Sequence, residues 1–355
     1  MQARNIHLVG SIPLGTTRNV LTTLAETIGD RAKRYPDGET GGRERFIRWQ
    51  ERVLVENPQV ELAVAPGIDL GTGGDGAKFV RGGYRLRADV RDSDISFGPL
   101  GYAAAALESY GEFRRLQEGG VIPAGVRFQV CLPTPMAFVS AFFIKHDRMR
   151  VEPGYELAMK REVASICSAI PSRELAIQWD LAYEIFGHDG GWEMYYDNDI
   201  EGSSTRVARI SADIPASVEL GIHLCYGDPG HKHMIEPTTL GTCVDMANTL
   251  FQRAQHPLAW IHMPVPRNRD DDAYFEPLKN LKIGSEIELY LGLIHYTDGA
   301  EGAKRRMATA AKHAKQFGIA TECGFGRRDP QTIPDLLRLH VVAAAGNFES
   351  AGMAL

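Results

Sequence analysis

The sequence predicts an α/β protein: a single (β/α)8 TIM barrel with a long insertion after its second strand. Short runs rich in Val, Ile and Leu alternate with longer amphipathic segments along the 355 residues. This alternation is typical of a parallel sheet with right-handed crossover connections. Eight such strand runs occur, which is the number that closes a barrel with its active site at the C-terminal strand ends. A doubly wound open sheet is the alternative.

The chain is long enough for two average domains or one large α/β barrel, and the eight strand–helix units favour a single domain over residues 1–355. The predicted strands are Ile6–Ser11, Ala32–Tyr35, Arg127–Leu132, Leu175–Asp180, Val218–Cys225, Leu258–Met263, Ile287–His295 and Ile319–Cys323. The clearest predicted helices are Glu156–Ala169, Leu240–Gln255, Gly302–Gln316 and Ile333–Ala345.

Residues 51–126 break the regular spacing and form the predicted insertion. Two short apolar runs, Lys78–Val80 and Tyr84–Ala88, flank Arg81-Gly-Gly and predict a hairpin that turns there. Long connections inside compact domains are often lids or substrate-binding elements. The alternative is a helical excursion that only covers the barrel wall.

The composition is that of a water-soluble globular protein. Hydrophobic residues make up 44% and charged residues 24% of the chain. The net charge of −6 argues against a nucleic-acid surface. No apolar run reaches about 18 residues and no signal-peptide pattern opens the sequence, so we expect a cytoplasmic protein without a membrane partner. The five cysteines lie far apart and are expected to be reduced. Assembly into a homo-oligomer stays open.

A histidine and two cysteines predict a metal site. His223 and Cys225 lie two residues apart in an apolar run, and side chains two apart in a strand point to the same face. Cys323 follows a later apolar run inside a Gly-rich turn. Imidazole and thiolate together suit zinc. The alternative is that the cysteines pack as small buried hydrophobic residues.

Polar side chains end several other predicted strands and are candidates for a substrate pocket. The interpretation competes with simple turns, helix caps and a structural histidine. An acid after an apolar run needs a partner, and a histidine there can transfer protons near neutral pH. The candidates are Ser11, Asp37, Glu39, Asp180, Glu184 and His295.

Two motifs resemble those of cobalamin-independent methionine synthase and its relatives, the zinc-dependent thiol alkyltransferases and the uroporphyrinogen decarboxylase-like superfamily. His223-Leu-Cys225 matches the family's zinc motif His-x-Cys, and Glu322-Cys-Gly-Phe325 matches its Asp-Cys-Gly-Leu. Weaker similarities occur in the same order along nearly the whole chain: Val9-Gly-Ser-Ile-Pro13 with Ile-Gly-Ser-Phe-Pro, Asp37-Gly-Glu39 with His-Gly-Glu, Gln178-Trp-Asp-Leu-Ala182 with Gln-Ile-Asp-Glu-Pro, and Leu293-Ile-His-Tyr296 with Asp-Ile-His-Ser.

The resemblance implies a function and a role for each matched residue. It implies a zinc-dependent transferase that moves a methyl or alkyl group from a donor to a small thiol, which zinc activates. The implied zinc ligands are His223, Cys225 and Cys323. Ser11, Glu39 and Asp180 would line the substrate pocket, and Asp180 with His295 would serve catalysis.

Departures from the family pattern argue against a complete methionine synthase. The sixth strand lacks the family's glutamate ligand, and His262 is the nearest candidate for a fourth ligand. The Asp-Glu-Pro motif is replaced by Asp180-Leu-Ala. The alternative function is a metal-free lyase or decarboxylase like the uroporphyrinogen decarboxylases, in which arginines would position a carboxylated small molecule.

Overall fold

The computed structural model describes residues 5–72, 78–197, 199–227, 232–346 and 348. The strands in these ranges are β1 (Arg34–Pro36), β2 (Val60–Thr72), β3 (Lys78–Leu86), β4 (Arg127–Pro133), β5 (Leu175–Leu181), β6 (Glu219–Leu224), β7 (Leu258–Pro264), β8 (Glu288–Ile294) and β9 (Gly318–Thr321). The α-helices are α1 (Thr17–Thr27), α2 (Glu51–Val55), α3 (Tyr102–Glu118), α4 (Pro135–Phe142), α5 (Lys145–Ala169), α6 (Tyr183–His188), α7 (Asp199–Ser211), α8 (Gly241–Arg253), α9 (Asp272–Phe275), α10 (Gly299–His313) and α11 (Ile333–Ala345).

Seven strands form one parallel sheet in the order β1-β4-β5-β6-β7-β8-β9, so each strand lies beside the next one along the chain. Helices connect these strands, as parallel pairing requires. The α/β class and the parallel sheet that the sequence predicts are confirmed. None of the helices in the described ranges is long and apolar enough to cross a bilayer.

The N-terminal segment contacts both edges of this sheet. Ile6 forms parallel bridges with Ala32, just before β1, and with Ile319 in β9. The backbone amide of His7 donates to the Ile319 carbonyl at 2.9 Å. The predicted strand Ile6–Ser11 therefore occurs as isolated bridges, with a further one from Ser11 to Gly38, rather than as a continuous ladder.

The interior of the sheet is filled in rows of side chains from neighbouring strands. Gln178, Gly221 and Trp260 occupy one row across β5, β6 and β7. A Cβ atom on Gly221 would lie 1.8 Å from Cε2 of Trp260, so the missing side chain leaves the space that the indole fills. Arg34 covers the same indole, with its guanidinium carbon 4.1 Å from the ring centroid. This row forms a floor beneath the C-terminal strand ends.

Residues 51–126 contain α2, the antiparallel pair β2–β3 and α3. The sequence pattern predicts a hairpin turn at Arg81-Gly-Gly, and this prediction is wrong: β3 runs through those residues, with Arg81 paired to Ile68 and Gly83 to Val64. Shifts of register in the pair accommodate the glycines within the strand. The connection between β2 and β3 lies at 73–77, outside the described residues. Whether 51–126 acts as an insertion or lid stays a prediction.

We predict that Gly221→Ala destabilises the protein by about 1–3 kcal/mol, because the added methyl group must displace the buried Trp260 ring. The free energy of unfolding in urea measures the effect. Gly111→Ala is the matched control: a Cβ atom on Gly111, inside α3, would meet no other atom within 4 Å, so that variant should be as stable as the parent or more stable. Equal stability of both variants would contradict the packing described here.

Candidate metal centre

One histidine and two cysteines meet at the C-terminal ends of β6 and β9. His223 is the penultimate residue of β6, Cys225 follows that strand directly, and Cys323 lies two residues beyond β9. One potential ligand atom from each of these side chains lies within 4.8 Å of the others. His223 and Cys225 are buried and Cys323 is partly exposed. The structure therefore brings together the three residues that the sequence predicts as zinc ligands.

The distances between these atoms fit a zinc site. The sulfur atoms of Cys225 and Cys323 are 3.7 Å apart, far longer than a disulfide bond. Two thiolates bound to one tetrahedral zinc at about 2.3 Å each would be separated by about 3.8 Å. Nε2 of His223 is buried and has no hydrogen-bond partner among the described residues. A buried nitrogen of this kind is suited to a metal ion.

His262 lies beside the cluster rather than within it. It pairs in register with His223 across β6 and β7, and Nδ1 of each ring faces the other at 2.7 Å. Burial, followed by the neighbouring His223 and His7, lowers the pKa of His262 well below its ordinary value. Among the described residues, the group whose ligand atoms all lie within 4.8 Å of one another consists of His223, Cys225 and Cys323 and does not include His262. A role as fourth ligand stays a prediction.

Gln178 links the buried row beneath the site to Asp180, which lies two residues further along β5. Its Nε2 donates to the Val9 carbonyl at 2.7 Å and to Oδ1 of Asp180 at 2.8 Å. The Val9 carbonyl can only accept, which places the amide nitrogen on that side, so Oε1 is the acceptor that faces Nε2 of His7 at 2.9 Å. His7 therefore carries its proton on Nε2. The network holds Asp180 and His7 in fixed orientations.

A cavity of about 510 Å³ opens beside the three candidate ligands. It collects residues from the N-terminal segment, from the ends of β1, β5 and β6, and from the turn after β9. Six of the predicted site residues line it: Ser11, Glu39, Asp180, His223, Cys225 and Cys323. The remaining lining residues are Val9, Gly10, Glu44, Phe46, Ala182, Gly227, Gly324 and Arg327. No described residue of 51–126 is among them.

Two acids of this cavity, Glu39 and Asp180, favour their neutral forms. Burial, followed by the charge of Asp37, raises the pKa of Glu39 to about 8. Burial and the nearby Glu39 likewise raise the pKa of Asp180 well above its ordinary value. Both carboxyl groups can therefore donate a hydrogen bond to a ligand. A cationic group of a ligand would instead favour their ionised forms.

Two glycines allow the turn after β9 to close against the N-terminal segment. A Cβ atom on Gly324 or Gly326 would lie 2.5 Å and 2.8 Å, respectively, from Oγ of Ser11. The Phe325 amide donates to the Ser11 carbonyl at 2.6 Å, and the Gly326 amide donates to Oγ of Ser11 at 3.1 Å. This contact brings Cys323, the neighbour of Gly324, to the same cavity as Ser11.

Two predicted acids lie outside this cavity. Asp37 is buried, accepts from the Glu39 amide at 2.8 Å and pairs with Arg43 at 2.7 Å, so it shapes the turn that carries Glu39. Glu184 is buried outside the cavity, and its Oε1 accepts a hydrogen bond from the Thr134 hydroxyl group. Substrate binding by these two acids stays a prediction.

His295 lines a second cavity, of about 990 Å³, on the other side of Cys323. Its Nε2 donates to the Val265 carbonyl at 2.8 Å, which leaves Nδ1 with the lone pair. Burial, followed by Arg306, lowers the pKa of His295 to about 3, so the ring is neutral near pH 7. Proton transfer by His295 stays a prediction. In the same cavity His233 bridges Glu236 and Glu322, and these acids raise its pKa to about 9.

Sequence reasoning missed several residues of the cavity and its surroundings. Glu44 and Phe46 follow the second predicted strand end, and a scan of the polar residues after Glu39 could have found Glu44. His7 points into the sheet from a segment rich in apolar residues, and its partner Gln178 is 171 residues away. No local signal predicts a contact over that distance.

The chain has the fold of the B12-independent methionine synthases. A B12-independent methionine synthase from a Shewanella species, in complex with selenomethionine, aligns with a TM-score of 0.62 at 14% identity and covers 97% of each chain. A protein from Listeria monocytogenes, provisionally assigned as a vitamin-B12-independent methionine synthase, aligns at 0.57 and 15% identity over 98% of this chain and 99% of its own. A methyltransferase from Methanosarcina mazei aligns with a TM-score of 0.54 at 13% identity, and the alignment covers 97% of this chain and 94% of that protein.

The family resemblance predicted from the two cysteine motifs is thus confirmed at the level of the fold. Comparison by sequence adds nothing further. No protein-family model matches the chain, and no curated protein matches it.

We predict that Glu184→Gln makes the protein more stable than the parent at pH 8 but not at pH 4. Burial raises the pKa of Glu184 to about 7, whereas the unfolded chain loses this proton near 4.5. Between about pH 4.5 and 7 the folded protein keeps the Glu184 proton that the unfolded chain has lost. The free energy of unfolding of the parent therefore falls as the pH rises through this range. The difference is on the order of 3 kcal/mol above pH 7.

The free energy of unfolding in urea, measured for parent and variant at steps between pH 4 and 8.5, tests this. Glu108→Gln, at an exposed position of α3, is the control and should track the parent at every pH. A constant difference between parent and Glu184→Gln across the range would contradict the assignment.

Proposed function

We propose that this protein is a zinc-dependent transferase that moves a methyl or alkyl group to a small thiol, and that it is a single-barrel relative of B12-independent methionine synthase. The observation that carries the proposal is the convergence of His223, Cys225 and Cys323 beside a cavity, with their sulfur atoms 3.7 Å apart. The fold shared with a methionine synthase and a methyltransferase supports the same chemistry.

The proposal includes a closed (β/α)8 barrel. Residues 6–11 would be its first strand, between β1 and β9, and the Ile6 bridges to both neighbours support this. Active sites of such barrels lie at the C-terminal strand ends. The end of each strand from β5 to β9 carries a candidate site residue, which agrees with that rule.

The donor set fits zinc, and zinc held by these three side chains would supply Lewis acidity that lowers the pKa of a substrate thiol. Three protein ligands would leave one position for that thiol, and the thiol could reach it from the cavity that the three residues line. Ser11, Glu39 and Asp180 would bind the remainder of the thiol substrate. Their hydroxyl and carboxyl groups suit a ligand with hydrogen-bonding or cationic groups.

The methyl or alkyl donor would approach from the second cavity, which also borders Cys323. His295 lies there with a neutral ring, and its Nδ1 would accept the proton that the thiol loses and pass it to the donor's leaving group. The two cavities would thus hold the two substrates on either side of the turn after β9.

We predict that Cys225→Ser and Cys323→Ser each lose most of the zinc that the purified parent binds, because each removes one of two thiolates. Zinc per chain is measured by elemental analysis after dialysis against a weak chelator, with the parent expected near one. Cys243→Ser is the control, since Cys243 is buried in α8 and belongs to no metal cluster of the described residues.

The same metal analysis distinguishes the alternative function. A parent protein without bound zinc, or equal zinc content in all three variants, would overturn the proposal and favour a metal-free lyase or decarboxylase.

We also predict that His295→Ala retains zinc but transfers methyl groups about 10²–10⁴-fold more slowly, because a proton-transfer residue contributes in that range. Turnover is followed with a panel of small thiols and a methyl donor. His146→Ala, at an exposed position of α5 that lines neither cavity, is the control and should change neither quantity. Loss of zinc from His295→Ala would show that the ring supports the metal site instead.

A further inference from the structure

We infer that His262 is a positioning residue for the ligand His223: Nδ1 of His262 accepts a hydrogen bond from Nδ1 of His223 and so fixes the tautomer that presents Nε2 to the metal. The inference rests on the proposed zinc site. It assigns His262 a role different from that of the fourth ligand, to which the sequence pattern pointed.

The short contact between the two rings allows a single proton. The Nδ1 atoms of His223 and His262 are 2.7 Å apart. Two N–H groups cannot face each other at that distance, so one nitrogen donates and the other accepts. The donor must be identified from the other nitrogen of each ring.

Metal binding by His223 would determine which of the two Nδ1 atoms donates the hydrogen bond. Nε2 of His223 is the ring nitrogen that remains for a metal, and it binds a metal only through its lone pair. A neutral His223 must then carry its proton on Nδ1, and Nδ1 of His262 must be the acceptor. The proton of His262 is consequently on its Nε2. A metal-bound histidine usually donates this second N–H to a carboxylate or a carbonyl, and here an imidazole takes their place.

Packing fixes the accepting ring. His262 is fully buried in β7, and its register with His223 sets the separation of the two side chains. The ring of His7 lies against it at a centroid distance of 5.6 Å, and His7 is itself held by Gln178. A ring confined in this way keeps its nitrogen aimed at His223 before any metal binds.

Two substitutions separate positioning from ligation. In His262→Asn the amide Oδ1 replaces Nδ1 at the same distance from the backbone and can accept the hydrogen bond, whereas the position of Nε2 is vacated. In His262→Leu the volume is similar but the acceptor is lost. Zinc affinity is measured by competition with a chromophoric chelator, and folding by thermal unfolding of the metal-free protein.

We expect His262→Asn to bind zinc within about threefold of the parent, and His262→Leu to bind it about 10–100-fold more weakly. If Asn is as weak as Leu, the accepting role of Nδ1 is overturned, and ligation through the ring becomes the explanation. If both bind like the parent, His262 has no role in the site. A parent that binds no zinc would instead overturn the proposed function itself.

A second measurement reports the histidine tautomers of the parent protein directly. Two-bond ¹H–¹⁵N correlation spectra of the zinc-loaded parent report the tautomer of each histidine, and the His262→Asn spectrum assigns the signal. We expect His262 protonated on Nε2 and His223 protonated on Nδ1. A His262 signal from the Nδ1-protonated tautomer would overturn the inference.

Discussion

The register of three parallel strands determines the geometry of the site. Asp180, His223 and His262 occupy one row across β5, β6 and β7, directly above the row of Gln178, Gly221 and Trp260. Side chains in one row of a parallel sheet point to the same side, so the upper row presents an acid, a candidate metal ligand and its hydrogen-bond partner together. A slip of one residue in β6 would turn His223 away from all of them.

The metal cluster could be predicted because its signal is local. The spacing of His223 and Cys225 indicates a shared face, and the Gly-rich sequence around Cys323 marks a turn that brings the chain close to Ser11. The relation between His223 and His262 could not be predicted, because it depends on how β6 and β7 align, and one register shift within that pair decides it. The sequence therefore identified His262 as part of the site but not its position relative to the ligands.

The fold shows the same difference between local sequence signals, which could be predicted, and pairings between distant segments, which could not. The strands from β4 to β8 agree with their predicted ranges within a residue or two, because buried parallel strands appear as continuous apolar runs. The helix α5 begins at Lys145, ahead of the predicted start at Glu156, and it continues through Pro153, which lacks the N–H of an interior helical hydrogen bond. The N-terminal segment departs most: its apolar run predicts a strand, but its pairing is divided between two edges and leaves single bridges.

The contact of Ser11 with the turn after β9 has a consequence for biosynthesis. The ribosome releases the N-terminal segment first, whereas its partners Ile319 and Phe325 emerge more than 300 residues later. Cys323 belongs to this last part as well. A nascent chain can therefore fold β4 to β8 in succession, but its sheet edge and its candidate metal site stay incomplete until the turn after β9 leaves the exit tunnel. Premature termination anywhere upstream would yield a chain with exposed strand edges and only part of the ligand set.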